Sequence, residues 1–485
     1  MLPVDPRIEQ LESRISELEL ALASRSESAP EPKTPANSQT MHGAWGANGY
    51  TAETPNGAFR VHIGGRVQAD AVALSTDDLI LSGEGDRDAV NFRRARLRVD
   101  GVMYRTMEWA AEFDFVNAFD VDPLNGPTPV NAIGGDTPLT IAPTDLWWAI
   151  HEIPWIGNVR IGNHKEPIGL EHLNSSRFLD FMERSYLQDA FFGPFNNGFT
   201  PGVSVFDCNE SETVTWALGG YKNTQNIFGY DTGDNEYALT ARVTCVPWSD
   251  CDDRRLIHLG LGTSYRGFDQ DADPSTGNMR VRTRASLRNG PPSGLNPSLA
   301  DTNFVGRMFV ESQTLIAPEV AVVAGPWLWQ AEYVAAFANS TTFTPSGGTP
   351  VSVGRTYSHG AYVQALYFLT GEHRVYERRE ARFGRVAPQR NATFLPERRG
   401  LSGPGAWQAG VRYGFLDLRD AGIDGGYVHD FTAGINWFLN PYAKLQFNYM
   451  LQGVENTLRD PLTGAVLAAN DGLLRGFGVR LAYDF

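Results

Sequence analysis

The sequence predicts an all-β protein, a transmembrane antiparallel β-barrel of about 16 strands preceded by a short N-terminal α-helical coiled-coil segment. Apolar and polar residues alternate with a period of two through most of the chain after residue 58, as expected of strands that separate hydrocarbon from water. The 50 glycines and the aromatic content of 11% suit tight turns and interfacial belts. The mean hydropathy of −0.29, together with the lack of a charge-free apolar run of bilayer length, argues against membrane-spanning helices.

Residues 1–23 are predicted to form the coiled-coil helix. Apolar residues recur at the spacings of a coiled-coil seam, at Ile8, Leu11, Ile15, Leu18 and Leu22. The seam has no fold of its own to pack on, which favours self-association over a lone surface helix, although about two heptads do not fix the number of chains. Residues 24–58 are rich in Ser, Pro, Ala, Asn and Gly and are predicted to be a flexible linker.

Residues 59–485 are predicted to form the barrel. In the first run, Val61, Ile63 and Val67 fall on the face opposite to Arg60 and Arg66. About 16 such runs occur, an even number, as a closed bacterial barrel with both ends on one side requires. The predicted strands are 59–74, 90–103, 107–118, 143–151, 158–165, 201–208, 213–222, 236–245, 255–266, 311–324, 327–338, 356–369, 404–416, 428–439, 442–453 and 473–485. A weaker run at 279–288 is assigned to a long loop folded inward.

The connections between these strands alternate in length. Short connections, typical of periplasmic turns, are predicted at 104–106, 208–212, 325–326 and 440–441. Long ones, typical of outer loops, are predicted at 119–142, 166–201, 267–310 and 453–472. The connection 370–403 breaks the pattern, because it falls on the side of the short turns and yet is long and rich in arginine.

The last strand carries the most specific local signal. Phe477, Val479, Leu481, Tyr483 and Phe485 share one face, and the chain ends on an aromatic residue. Tyr483 and Phe485 are therefore interpreted as the signal read by the outer-membrane insertion machinery of bacteria, which predicts an outer-membrane location. No signal peptide is seen in this numbering, so we expect it to start after cleavage or cropping.

Charge and reactive residues narrow the function classes. The net charge of −15 argues against a nucleic-acid partner, which normally meets a basic surface. The three cysteines do not make a disulfide framework, although Cys245 and Cys251 could close a hairpin in an oxidising compartment. The histidines are scattered, with no nucleophile elbow and no metal-spaced pair. The sequence therefore predicts neither an enzyme nor a bound cofactor or metal.

Arginine dominates the basic residues. Lysine occurs only at Lys33, Lys165, Lys222 and Lys444, so 37 of the 41 basic residues are arginine. Charge is costly in lipid, so arginines in phase on a strand are expected to face the pore, where they could offer an anion many weak, successive sites. The predicted pore-lining residues are Arg60, Arg66, Arg94, Arg96, Arg98, Lys165, Arg177, Arg184, Arg280, Arg282, Arg284, Arg374, Arg378, Arg379, Arg382 and Arg385. The alternative is that carboxylates neutralise them, with Asp100, Glu112, Asp114, Glu377 and Glu380 as the candidates.

Four stretches in order give the sequence a family resemblance. The first is Phe92 to Val99, reading FRRARLRV, followed by Trp109 to Phe115. The second is VRIGNHKEP at 159–167 followed by SSRF at 175–178 and FMER at 181–184. The third is GPW at 325–327 with QAEY at 330–333, and the fourth is LTGE at 369–372 with FGRV at 383–386. Together they resemble the phosphate-selective porin O and P family over roughly residues 59 to 485.

The resemblance implies a homotrimer of 16-stranded barrels. It also implies that three segments fold into the lumen and narrow it, corresponding here to 166–201, 267–310 and 370–403. The predicted function is thus an outer-membrane porin, a passive diffusion channel for small hydrophilic solutes, with a phosphate-like anion preference set by lumen arginines. Two alternatives stay open: a sugar-type or non-selective porin, with Trp147, Trp148, Trp327 and Trp329 as an aromatic slide, and a structural anchor that tethers the N-terminal helix to the cell wall.

Overall fold

The computed structural model shows a closed antiparallel barrel of 16 strands. It describes residues 40–77, 87–116, 142–193, 198–224, 227–233, 235–288, 298–392, 403–456, 458–459, 466–468 and 471–485. The barrel strands are β1 (Phe59–Thr76), β2 (Arg87–Met103), β3 (Met107–Asp114), β4 (Ala142–Ile153), β5 (Gly157–Lys165), β6 (Phe199–Cys208), β7 (Val214–Lys222), β8 (Tyr237–Ser249), β9 (Arg255–Gly267), β10 (Ser312–Ala324), β11 (Trp327–Pro345), β12 (Val351–Phe368), β13 (Ala406–Asp420), β14 (Ile423–Asn440), β15 (Ala443–Glu455) and β16 (Gly472–Asp484).

The ends of the sheet meet, so the barrel has no open edge along its length. Strand β16 pairs antiparallel with β1, from Leu474 opposite Thr76 to Asp484 opposite Arg66. Each of the 16 predicted runs corresponds to one of these strands, and the predicted even number is confirmed. In the described part of the chain, no helix is both long and apolar enough to cross a membrane.

The outer face of the wall is apolar because every second side chain points away from the lumen. Leu239, Val243 and Leu481 are each about half exposed there. Near the periplasmic turns aromatic rings form a belt, with Trp327 stacked on Trp329 at 5.7 Å. Trp327 and Trp329 belong to this belt, and Trp148 is exposed at 37%, so the expectation that these tryptophans lie at the lipid interface is met. Trp147 instead points inward.

The strands on one side of the barrel are longer than the sequence predicts. Strand β11 runs to Pro345 and β12 starts at Val351, where the prediction has 338 and 356. Likewise β14 starts at Ile423, five residues before its predicted start. Above the lipid there is no apolar solvent to impose an alternating pattern, so these hairpin ends pair through their backbones without a period-two signature.

Three segments fold into the lumen, as the family resemblance implies. They are loop L3 (residues 166–198) between β5 and β6, loop L5 (residues 268–311) between β9 and β10, and the periplasmic connection (residues 369–405) between β12 and β13. L5 contains a two-stranded ribbon, Arg282–Arg284 with Ser298–Asp301. This confirms that 279–288 is not a barrel strand. Together L3, L5 and the wall enclose an apolar cluster around Phe191, whose side chain is fully buried.

The region before the barrel differs in part from the expected linker. The predicted coiled coil, 1–23, and residues 24–39 lie outside the described residues. Residues 40–58 were expected to be flexible, but they contain a hairpin, His42–Gly46 with Gly49–Glu53. Its second strand pairs with β1, Tyr50 opposite Ile63, because the start of β1 extends beyond the end of β16 and offers free backbone groups.

The three cysteines, Cys208, Cys245 and Cys251, are all free thiols in the structure. The possible bridge between Cys245 and Cys251 is therefore not formed.

Candidate pore constriction

Loop L3 leaves the wall at the end of β5 and enters the lumen through a short helix, α1 (Leu170–Leu173). The Glu332 carboxylate on β11 accepts the backbone N–H of Leu170 at 2.8 Å and that of Glu171 at 2.7 Å. These N–H groups have no partner inside the helix, so a negative acceptor at this point satisfies them and favours the helix end electrostatically. Tyr362 on β12 also donates to Glu332. Glu332 thus fixes where L3 turns into the barrel.

The rest of L3 is fastened to the wall formed by β13 to β16. Arg412 on β13 bonds the Glu171 carboxylate at 2.9 Å. Lys444 donates to the Leu179 carbonyl at 2.7 Å, and Arg480 bonds Glu183 at 2.9 Å. These contacts hold L3 away from its own strands, across the lumen. Burial alone would raise the pKa of Glu183, but the guanidiniums around it, Arg93 and Arg288 first, outweigh burial and hold that pKa well below its usual range.

Strand β2 presents its arginines to the lumen, as predicted. Arg94 donates to Gln68 at 2.7 Å, whereas Leu97, in the opposite phase, is 41% exposed on the outer face. A register shift opposite Gln68 inserts one extra residue into β2, a bulge that turns Arg93 inward beside Arg94. Arg93 then makes a two-point bond to Glu183, at 2.7 and 3.0 Å. Alternation alone places Arg93 on the lipid side, so the sequence analysis missed it.

The β2 ladder is largely neutralised by carboxylates. Arg96 bonds Asp114 at 2.7 Å and Glu112 at 2.9 Å, and Glu112 also binds Arg66 at 2.6 Å. Asp100 binds Arg98 at 2.9 Å. These are the carboxylates that the alternative interpretation proposed, so these guanidiniums stiffen the wall more than they attract ions.

The arginines of L5 and of the periplasmic connection are paired as well. The pairs are Arg280 with Asp301, Arg284 with Asp189, Arg374 with Asp180, Arg378 with Asp253, Arg379 with Glu212, Arg382 with Glu377 and Glu380, and Arg385 with Asp484. Arg282 lies between the first two on the L5 ribbon. Arg379 and Arg60 are exposed towards the periplasmic end of the barrel, and Arg177 lies 3.7 Å from Asp484.

Two predicted residues stand apart from this pattern, Lys165 at the end of β5 and Arg184 in L3. Both donate to the Asn174 carbonyl, at 3.1 Å from Lys165 and 2.6 Å from Arg184. Lys165 also donates to the carbonyl of His172 and Arg184 to that of Glu171. No salt bridge joins either cation to a carboxylate in the described part of the chain. Two positive charges therefore meet at one carbonyl oxygen.

The cation in L3 keeps its charge. Burial, and to a lesser extent the neighbouring guanidiniums, lowers the pKa of Arg184 to about 10, although nearby carboxylates act in the other direction. At neutral pH the group is therefore still protonated. The same surroundings keep His172 uncharged, because burial first and the Lys165 charge second lower its pKa well below the usual range.

Arg160 on β5 is a lumen cation that the sequence analysis missed. Its guanidinium lies between the rings of Trp147, at 4.3 Å, and Phe206, at 4.9 Å. Its Nε–H is buried without an acceptor among the described residues. The signal was available, since Arg160 is in phase with the lumen side of β5, but the ring partners come from β4 and β6. Trp147 thus positions a cation, which is not what a sugar slide requires.

The sequence analysis found no Ser–His pair on neighbouring strands, and the structure corrects this. His164 on β5 and Ser204 on β6 approach to 2.9 Å, Nε2 to Oγ. The other ring nitrogen faces the Gly162 carbonyl at 2.9 Å, and the Tyr221 hydroxyl lies 3.3 Å from Nε2. A hydrolytic triad needs a carboxylate behind the histidine. Since a backbone carbonyl stands there, the pair is best explained as part of the packed wall.

Comparison with known proteins agrees with this geometry. The family model described as "Phosphate-selective porin O and P" matches residues 61–485. Porin O of Pseudomonas aeruginosa is 23% identical over 90% of this chain and 91% of its own length. An uncharacterised protein of Caulobacter vibrioides is 30% identical over 61% of this chain, which spans about half (54%) of that protein. A solved OmpF of Salmonella typhi, in complex with daunomycin, superposes with a TM-score of 0.50 at 10% identity, over 89% of this chain and 100% of its own.

Proposed function

The chain belongs to the phosphate-selective porin O and P family, and from this premise we propose that it is a passive outer-membrane channel that prefers anions. The outer-membrane location follows from the family and from the closed, outwardly apolar barrel. The solutes are small and hydrophilic. Among the predicted lumen cations, the pair formed by Lys165 and Arg184 carries the anion preference.

One observation supports this choice above the others. Lys165 and Arg184 are held by backbone carbonyls, whereas most other lumen arginines each lie against a carboxylate. Carbonyl dipoles hold a cation in place without cancelling its charge, so the electrostatic potential at this point favours anions. Because the pair sits at the root of L3, where the lumen narrows, that potential acts on every passing ion.

The experiment is a reversal-potential measurement in asymmetric KCl on the reconstituted full chain. The wild type is expected to prefer chloride, and the double variant Lys165→Gln, Arg184→Gln to lose most of that preference. Arg419→Gln is the matched control, because Arg419 is paired with Asp417 and 40% exposed on the outer face. A wild type that prefers potassium would overturn the proposal, and so would a double variant as selective as the control.

The assembly is part of the proposal too. The resemblance implies a homotrimer, and a self-associating coiled coil over 1–23 would fit three chains. A tie from this helix to the cell wall would be an added role of the same segment. Deletion of 1–39 tests this: conductance should persist, because the barrel closes without it. Mass measurement in detergent would show whether three barrels still stay together.

A further inference from the structure

A second basic site lies on the periplasmic side of L3. A cavity of about 400 Å³ opens between L3, the periplasmic connection and the wall of β14, β15, β16 and β1. Five cations line it, Arg66, Arg177, Arg374, Arg385 and Lys444, and the only acidic residue among its described lining residues is Asp484. It is separate from the Lys165–Arg184 pair, neither member of which lines it.

Several donors in this cavity have no acceptor. Arg66 is 5% exposed and Arg374 1% exposed, and in each the Nε–H is buried without an acceptor among the described residues. Arg374 Nε is 3.4 Å from Asp180 but is not aligned for a hydrogen bond. The Arg177 Nε–H is likewise unmatched, at 3.7 Å from Asp484. A buried donor without a partner costs about 1–3 kcal/mol, a cost that a bound oxyanion would remove.

The charges at the site do not balance. The five cations are met by three carboxylates, Glu112 on Arg66, Asp180 on Arg374 and Asp484 on Arg385. Glu112 is shared with Arg96, so its charge is divided. Lys444 donates only to a carbonyl, that of Leu179. The surplus of two positive charges matches an anion of charge two.

We propose that this cavity is a second anion site, for a doubly charged oxyanion such as phosphate or a dicarboxylate, and that Asp484 is its built-in competitor. Planar guanidiniums with free N–H groups suit carboxylate and phosphate oxygens. Asp484, next to the last residue of the chain, already occupies part of the site by accepting from Arg385. An incoming dianion displaces this tethered carboxylate, which keeps its binding weak enough for release. The inference rests on the proposed anion channel and adds a solute class to it.

The test measures inhibition of chloride current through the reconstituted full chain. Inorganic phosphate or succinate is added on the periplasmic side, and either is expected to reduce the current saturably. Asp484→Asn removes the competitor and should lower the half-inhibitory concentration by about tenfold, while Lys444→Gln and Arg374→Gln should each raise it by about tenfold, equivalent to about 1.4 kcal/mol. Arg419→Gln again serves as the control.

The outcomes separate this site from the channel itself. Inhibition by only one of the two anions would identify that anion as the ligand and would support the site. If Asp484→Asn and Lys444→Gln both match the control while chloride is still preferred, the second site is refuted and the channel function stands. Arg374 also bonds the Phe178 carbonyl, so retention of the heat-resistant fold on a gel is checked for each variant before its current is compared.

Discussion

At the scale of single residues, the lumen is a network of ion pairs with few unpaired cations. The sequence could predict which side chains face inward, because alternation depends only on neighbouring positions of one strand. It could not predict which arginines are neutralised, because Arg66 and Glu112 come from different strands, and Arg284 and Asp189 from different loops. Arg93 escaped because a bulge changes the phase of its strand without any mark in the composition.

Glu112 is the residue where this network is most vulnerable. Its carboxylate is 1% exposed and binds Arg66, Arg96 and the Thr144 hydroxyl. Glu112→Gln keeps the shape but leaves two buried guanidiniums without their shared counter-charge, which typically costs about 3–5 kcal/mol. We expect a lower melting temperature in detergent. Arg419→Gln, which breaks an exposed pair, should change it little, and equal stability of the two variants would contradict the argument.

The L3 anchor at Glu183 makes a prediction for pH. Its pKa is held well below the usual range, so the group contributes stability above its unfolded pKa, and this contribution is lost only as pH falls through the lower folded value. Between pH 7 and pH 5 we therefore expect constant single-channel conductance. Glu183→Gln should show increased current noise already at pH 7. A wild-type conductance that changes near pH 4.5–5 would mean that Glu183 titrates normally.

At the scale of elements, strands were predictable and the inward loops only in outline. A strand in contact with lipid on one face must alternate, and this pattern is written in a few consecutive residues. The course of L3 is instead set by contacts such as Glu332 with Leu170, 162 residues apart, for which one sequence holds no local signal. The length anomalies of 267–310 and 370–403 did reveal that something unusual happens there, and the family resemblance supplied the rest.

Releasing the anchor of helix α1 should widen the pore. Glu332→Gln replaces one acceptor oxygen by an NH₂ group that faces the N–H groups of Leu170 and Glu171, so one of these donors is left unmatched at a cost of about 1–3 kcal/mol. L3 should then move more freely, with a higher and noisier single-channel conductance. Tyr362→Phe, which removes one donor to the same carboxylate, is the milder comparison. Identical current traces for Glu332→Gln and wild type would show that the other anchors suffice.

At the scale of the whole molecule, closure depends on one seam between the two ends of the chain. The sequence predicted that β16 carries an aromatic face, yet it gave no sign of the hairpin at 42–53, because its Gly, Asn and Thr residues look like a linker. That hairpin covers the part of β1 that β16 does not reach. Both features follow from the register of the seam, which only the closed barrel defines.

Phe485 has two roles at this seam that one pair of variants can separate. Its backbone exchanges two hydrogen bonds with Gly65, at 2.7 and 3.1 Å, and its ring stacks on Tyr483 at 6.1 Å. Deletion of Phe485 removes both, and the lost hydrogen bonds should cost about 1–3 kcal/mol. Phe485→Ala keeps the backbone and loses only the ring. If the ring is the insertion signal, Phe485→Ala will refold in detergent with nearly wild-type stability but reach the outer membrane of cells in much smaller amounts. Normal amounts of Phe485→Ala in the membrane would leave the ring without a signalling role, and the defect of the deletion would then belong to the seam alone.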